Sequence, residues 1–320
     1  MNTKLRGAVF GAGNMGRHHI RIMDQHPDVE LVAIVDPDVE RAKLHPSAAH
    51  TPVVASLNDI DDSLDIAIVA TPTQYHLELG LALIARGVNL LIEKPLAGTP
   101  KDAQALVDAA KEAGVVLATG HVERFNPAVN TLARFIDKPL FISIDRLSPQ
   151  TPRIADSVIF DLTIHDVDLA CWLAGGYPTE IAASGSKVYT DTVDAVSTVM
   201  KFKNGCIVTL QTSRITNDKV RRISVSELDH FVVANTLNQT IEVRRQAQVS
   251  YERSGGVMTF EQTGIVEELM VNKNIEPLRA ELDDFLEAIE TGRKPTVDGQ
   301  DGLNAVRLAF EIERLCSGNS

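Results

Sequence analysis

At 320 residues, with 44% hydrophobic and 23% charged side chains, the chain has the makeup of a globular protein of one large or two ordinary domains. A formal net charge of −12 argues against a nucleic-acid partner, because non-specific binding needs a basic surface. No apolar run approaches the ~18 residues of a membrane span, and Met1 to Arg6 lacks the apolar core of a signal peptide. Cys171, Cys206 and Cys316 are scattered and form neither a metal-ligand spacing nor a disulfide framework. The expectation is a cytoplasmic protein without a membrane or nucleic-acid partner and without a bound metal.

The first ~120 residues alternate short apolar runs with helical periodicity, as a parallel sheet with crossover helices does. Strands are expected over Leu5–Phe10, Glu30–Val35, Val53–Val54, Ile66–Ala70, Val88–Ile92 and Val115–Thr119. Helices are expected over Asn14–Gln25, Val39–Leu44, Tyr75–Arg86 and Pro100–Ala113, the last capped by Thr99. After Gly120 the pattern changes. A helix follows Asn126, a strand covers Phe141–Arg146, and a helix covers Asp161–Leu173. Then come β-like runs at Glu180–Val188, Ala195–Phe202, Cys206–Thr212, Val220–Val225 and Phe231–Asn235, with a hairpin signal at Asn204-Gly205. Helices Pro277–Thr291 and Gly302–Leu315 close the chain, the second with Asp301 as N-cap. The fold class is α/β: a doubly wound parallel sheet over 1–121, then an α+β domain over 122–320 built on a large, mostly antiparallel open sheet. One uncovered face of that sheet suggests a homodimer or homotetramer.

Val9 to Gly16 is the first stretch to carry chemistry. Gly11, Gly13 and Gly16 have the G-x-G-x-x-G spacing between a strand and a helix, which suits a dinucleotide pyrophosphate at a helix N-terminus. Ala12, Asn14 and Met15 complete that loop. Asp36 ends the second strand, twenty positions after Gly16, where an acid can bond both ribose hydroxyls and favour NAD over NADP. Arg41 lies close enough to soften that preference. Thr71-Pro72 ends the fourth strand and His76 follows it, at the edge where a cofactor runs. Glu93-Lys94-Pro95 ends the fifth strand. A lysine there can polarise a reacting hydroxyl or carbonyl, although a Lys-Pro elsewhere is commonly a surface feature. Asp161, His165 and Asp168 share one helix face, and a carboxylate-oriented histidine suits general-base work. Asp-x-x-x-His also offers two metal ligands, but no second cluster with ligand spacing accompanies it.

Together, Gly11-Ala12-Gly13-Asn14-Met15-Gly16, Thr71-Pro72 with His76, Glu93-Lys94-Pro95, Asp161-x-x-x-His165 and Asp301-Gly302-Leu303 resemble the glucose–fructose oxidoreductase/inositol dehydrogenase (Gfo/Idh/MocA) family over essentially the whole chain. The resemblance implies a Rossmann domain with bound NAD, an open-sheet second domain, and a catalytic group drawn from Lys94, Asp161 and His165. It also implies a Lys94–Pro95 bond that is often cis. Gly120 to Pro127 and Asp156 to Asp161 are similar to the branch acting on nucleotide sugars, which places Arg124, Asn126 and Arg153 with Lys94, Asp161 and His165 as substrate contacts. The expected reaction is NAD-dependent oxidation of the C3 hydroxyl of a nucleotide sugar such as UDP-N-acetylglucosamine. The alternatives are a dehydrogenase of a free sugar or cyclitol such as inositol, and a non-catalytic NAD-binding regulator.

Overall fold

In a computed structural model of the chain, residues 4–60, 63–150, 156–254 and 257–318 are described, with the backbone alone over 246–264. They form two compact units, Met1–Phe125 with Glu276–Phe310, and Asn126–Ile275 with Glu311–Ser320.

The first unit holds six parallel strands: β1 (Leu5–Phe10), β2 (Val29–Val35), β3 (Val53–Val54), β4 (Ile66–Val69), β5 (Asn89–Glu93) and β6 (Leu117–Gly120). Their order is β3-β2-β1-β4-β5-β6, so strand order reverses between β1 and β4. Ligands of such sheets bind beyond the carboxyl ends of the strands at that reversal. Ile66–Val69 and Leu90–Ile92 are buried throughout, as the central strands of a sheet covered on both faces must be. The helices are α1 (Gly16–Asp24), α2 (Val39–Ala42), α3 (His76–Ile84) and α4 (Pro100–Ala113). The Thr99 hydroxyl accepts the Asp102 amide, as the sequence predicts, and Gly114 closes α4 in the left-handed conformation.

The second unit opens with α5 (Pro127–Phe135) and β7 (Phe141–Leu147) and continues into α6 (Ile164–Ala174). The remaining strands are β8 (Glu180–Ser186), β9 (Ala195–Lys201), β10 (Ile207–Ser213), β11 (Val220–Ser226), β12 (His230–Asn235), β13 (Thr240–Ser254) and β14 (Val257–Leu269). Their order is β14-β13-β12-β11-β7-β10-β9-β8, antiparallel except for β7 against β10. Within this unit α6 packs on β7 and β10, and α5 on β12 and β13. The long β13–β14 hairpin is absent from the sequence-based expectations. Its strands alternate aliphatic with charged or amide residues and so carry no strong apolar run.

Helices α7 (Pro277–Thr291) and α8 (Gly299–Ser317) end the chain. The sequence reading groups this segment with the second domain, whereas Glu276–Phe310 lies in the first unit. Leu278, Leu282, Phe285 and Leu286 share one face of α7 and join Ile20 and Met23 of α1 in a single core. The α8 N-cap is Asp298 rather than Asp301. Its carboxylate accepts the Asp301 amide, while Asp301 reaches back to the Asp298 amide, the reciprocal pattern of a capping box.

Candidate active site

The strand-to-helix turn after β1 is built around contacts only glycine permits. Gly11 has φ +94°, and a Cβ there would lie 2.6 Å from the Ala70 carbonyl oxygen, at the end of the neighbouring β4. A Cβ on Gly16 would lie 1.7 Å from the Gly11 carbonyl oxygen, so this glycine lets α1 start directly against the turn. Gly13 is different: a Cβ there would meet nothing within 4 Å. No side chain caps α1, and its Arg17 and His18 amides turn onto the Gly13 and Met15 carbonyls, so what the helix start offers an anion near Gly13 is its partial positive charge.

Asp36, immediately after β2, is 2% exposed. Its Oδ2 accepts the Ala12 amide at 2.7 Å and its Oδ1 the Asp38 amide at 2.8 Å. The Arg41 guanidinium donates to both oxygens, at 2.9 and 2.8 Å. Burial alone raises the carboxyl pKa, but the two amides and Arg41 outweigh it, and the group stays below its ordinary range. A permanently ionised acid is thus fixed beside the glycine turn, with a half-exposed arginine on it.

The Thr71 hydroxyl, just beyond β4, is buried and has no hydrogen-bond partner among the described residues. Pro72 beside it is exposed. His76 is 1% exposed, and its ring nitrogens face the Thr71 carbonyl at 2.9 Å and the Pro95 carbonyl at 3.0 Å. Burial lowers its pKa despite those two acceptors. His76 therefore ties the loop after β4 to the loop after β5, a brace where the sequence reading expects a direct cofactor contact.

Glu93 closes β5 with its side chain turned inward. Its Oε1 lies 2.8 Å from His19 Nε2 of α1, and its Oε2 accepts the Lys94 amide at 3.2 Å. Burial pushes its pKa up, but His19, then Lys94, bring it net below the usual carboxylate value. The carboxylate thereby holds the backbone that carries the Lys94 side chain. The Lys94–Pro95 bond is cis. His19 is absent from the sequence reading because nothing local marks a partner 74 positions away.

Arg124 is 3% exposed, and its guanidinium donates to the Thr296 carbonyl at 2.9 Å and pairs with Asp301 at 3.2 Å. The group joins the turn after β6 to the start of α8, where the sequence reading expects a sugar or diphosphate donor. In the second unit Asn126 is likewise committed. Its side chain caps α5 at the Ala128 amide and donates to the Thr236 carbonyl. Arg153 lies outside the described residues.

Asp161 and His165, both half-buried, do not sit on one regular α-helix. Ile159–Thr163 forms a π-helical turn and α6 begins at Ile164. Single π-turns inside helices recur at functional sites, because the wider turn re-aims side chains. Asp168 is 2% exposed, so it is part of the packed side of α6 rather than of an open polar face. Asp166 beside it is fully buried and paired with Arg146 of β7 at 2.7 Å. A second buried pair, Arg214–Asp194 at 2.7 Å, ties the end of β10 to the start of β9. Neither pair is foreseen from sequence.

The Gly13 opening, the ionised Asp36 and the buried Thr71 hydroxyl, all beyond the carboxyl ends of β1, β2 and β4, fit NAD. Comparison with known proteins agrees. Residues 5–121 match the model described as oxidoreductase family, NAD-binding Rossmann fold, and residues 103–226 match the GFO/IDH/MocA C-terminal domain. The chain is 30% identical to UDP-N-acetylglucosamine 3-dehydrogenase of Acidithiobacillus ferrooxidans over 96% of each chain. It is 25% identical to myo-inositol 2-dehydrogenase of Thermotoga maritima, over 97% of this chain and 96% of the relative. A solved structure of the Acidithiobacillus ferrooxidans enzyme superposes with TM-score 0.89 at 29% identity, covering 98% of both chains.

Proposed function

This chain belongs to the Gfo/Idh/MocA oxidoreductase family and is an NAD-dependent sugar dehydrogenase, and from that premise we propose that its substrate is UDP-N-acetylglucosamine, oxidised at the C3 hydroxyl to the 3-keto sugar. One observation carries the substrate assignment: 30% identity, spread over 96% of both chains, with an enzyme of that activity. The identity to the myo-inositol enzyme supports oxidation of a free cyclitol as the second reading.

Bound NAD supplies the hydride acceptor. The chain's own residues hold it and handle the proton. The α1 N-terminus would hold the pyrophosphate, and Asp36, which carries Arg41, would accept from the hydroxyls of the adenosine ribose. Lys94, its backbone fixed by Glu93, donates a hydrogen bond to the reacting oxygen and stabilises the alkoxide charge that develops there. His165 takes the hydroxyl proton, and Asp161 orients the ring and stabilises its charged form. Orienting the C3–H toward the nicotinamide is a positioning effect, and such effects supply up to ~7–11 kcal/mol of a barrier.

The exposed face of the eight-stranded sheet mixes Ser184, Ser197, Val199 and Ile207 with the Lys201–Glu180 and Arg222–Asp145 ion pairs, a surface of the mixed character that interfaces between copies carry. A homodimer or homotetramer by light scattering is the expected state, and a monomer across the working concentration range contradicts it. The substrate assignment is tested by following NADH absorbance with purified protein, NAD and a panel of UDP-sugars and polyols. Turnover of UDP-N-acetylglucosamine with none of myo-inositol supports it. The opposite pattern establishes the second reading instead.

A further inference from the structure

The Asp36 carboxylate already carries all the hydrogen bonds it can accept. Its two oxygens offer about four acceptor positions. The Ala12 amide takes one on Oδ2 at 2.7 Å and the Asp38 amide one on Oδ1 at 2.8 Å. The Arg41 guanidinium takes one more on each, at 2.8 Å on Oδ2 and 2.9 Å on Oδ1. A ribose brings two further donors, its 2′ and 3′ hydroxyls, and the carboxylate has no position left for them. We propose that Arg41 is a cofactor-selectivity residue that competes with the adenosine ribose for Asp36, opposing NAD and favouring NADP.

Of the three donors, Arg41 is the one able to leave. Asp36 itself is 2% exposed, and the two amides belong to the backbone of the glycine turn and of the segment that caps α2. The Arg41 amide is also fixed, because it donates to the Asp38 carboxylate at 3.1 Å, but the Arg41 side chain is 54% exposed. Exposed Asp38 lies 3.9 Å from Arg41 Nε and gives the guanidinium a second carboxylate to turn to. The other charges on this short helix, Glu40 and Lys43, pair with each other. Release of Arg41 therefore costs what a half-exposed ion pair is worth, about two- to fivefold in affinity.

The two cofactors respond to this arginine with opposite signs. NAD needs acceptor positions that the guanidinium fills. NADP carries a phosphate in place of the 2′ hydroxyl, and a bare Asp36 repels that charge. A guanidinium beside the carboxylate neutralises it and can donate to the phosphate. The inference deepens the reading of Asp36 as the ribose acceptor and rests on it.

The test is calorimetric titration of NAD and of NADP into full-length wild-type protein and Arg41→Met, which keeps an unbranched stem without the charge. The expected result is NAD binding about two- to fivefold tighter in the variant and NADP binding at least about tenfold weaker. In the wild type, the Arg41 guanidinium 15N resonances should move on saturation with NAD. NAD binding that is unchanged or weaker in Arg41→Met overturns the proposal. So does NADP binding that is unchanged or tighter there, or unmeasurable in the wild type, and so do guanidinium resonances that stay in place. Arg41→Gln, also neutral, is expected to give the same two shifts and keeps the test decisive if the methionine variant does not fold. No sugar is needed, so failure here is separate from failure of the substrate assignment. Weakened NAD binding in Asp36→Ala with unaltered affinity in Arg41→Met leaves Asp36 as the ribose acceptor and removes Arg41 from its role.

Discussion

Gly13→Ala and Gly16→Ala separate the two tasks of the glycine turn. At Gly16 a new methyl would start 1.7 Å from the Gly11 carbonyl oxygen, against a comfortable C···O contact of about 3.3 Å. The obstacle is backbone, which cannot rotate away, so α1 or the turn must move by about 1.5 Å. Overpacking of this severity sits at the top of the usual range, about 3 kcal/mol, and for a unit of this size lowers Tm by about 6–12 °C. Displacement of the α1 N-terminus by that much also weakens NAD binding, because the pyrophosphate loses its alignment with the helix start. At Gly13 the methyl meets no atom of the protein within 4 Å, and its φ lies outside the left-handed region. The substitution then leaves Tm unchanged, or raises it through a loss of unfolded-state entropy worth about 0.4–1 kcal/mol. NAD affinity still falls, by at least about tenfold or 1.4 kcal/mol, because the methyl fills the opening over which the pyrophosphate must pass. Thermal melts with calorimetric NAD titrations read both quantities. Normal NAD affinity in Gly13→Ala, or an unshifted melt in Gly16→Ala, refutes this reasoning.

Asp36→Ala removes an ionised acceptor for the ribose hydroxyls and releases Arg41. NAD is expected to bind about 10- to 100-fold more weakly while NADP gains relative to it, and an unchanged NAD:NADP preference contradicts the assignment. Asp194→Asn tests the second unit. Burial opposes ionisation of Asp194, but the amides of Val188, Tyr189 and Thr190, with Arg214, hold its pKa far below the ordinary range. A depressed folded-state pKa contributes stability that is present above the unfolded value of about 3.9 and lost as pH falls through the folded value. The variant should lose about 3–5 kcal/mol at neutral pH, with a deficit that shrinks on acidification; urea melts showing a constant deficit rule this out. His165→Ala and Lys94→Ala should each lower kcat by about 100- to 10,000-fold while NADH binding persists. Loss of the acid limb of the kcat profile in His165→Ala alone identifies it as the base, and its loss in Lys94→Ala alone reverses the assignment.

What the sequence reveals, and what it conceals, follows the range of the interactions. The β1 turn, Asp36 and the segment Glu93 to Pro95 are legible because each is a short pattern at the end of an apolar strand. The Thr99 cap and the Gly114 stop are legible for the same reason. The partners that hold those patterns in place are not. His19 reaches Glu93 across 74 positions, and Arg124 reaches Asp301 across 177. From sequence alone Arg124 resembles an anion-binding arginine, because burial and a distant carboxylate leave no local trace. The π-turn at Ile159–Thr163 is hidden by a residue pattern that suits an α-helix equally well. The β13–β14 hairpin did leave a signal, in the alternation of Ile241, Val243, Ala247 and Val249 and the glycine pair at 255–256, but without the dense apolar run of the earlier strands.

The central claim concerns one bond, the C3–H of the nucleotide sugar. The measurement is to incubate the protein with NAD and UDP-N-acetylglucosamine deuterated at C3, then weigh the reduced cofactor by mass spectrometry. The expected result is a reduced nicotinamide carrying one deuterium and a sugar that has lost it and become the 3-ketone. Reduced cofactor without deuterium, or none formed while myo-inositol is oxidised, contradicts the account.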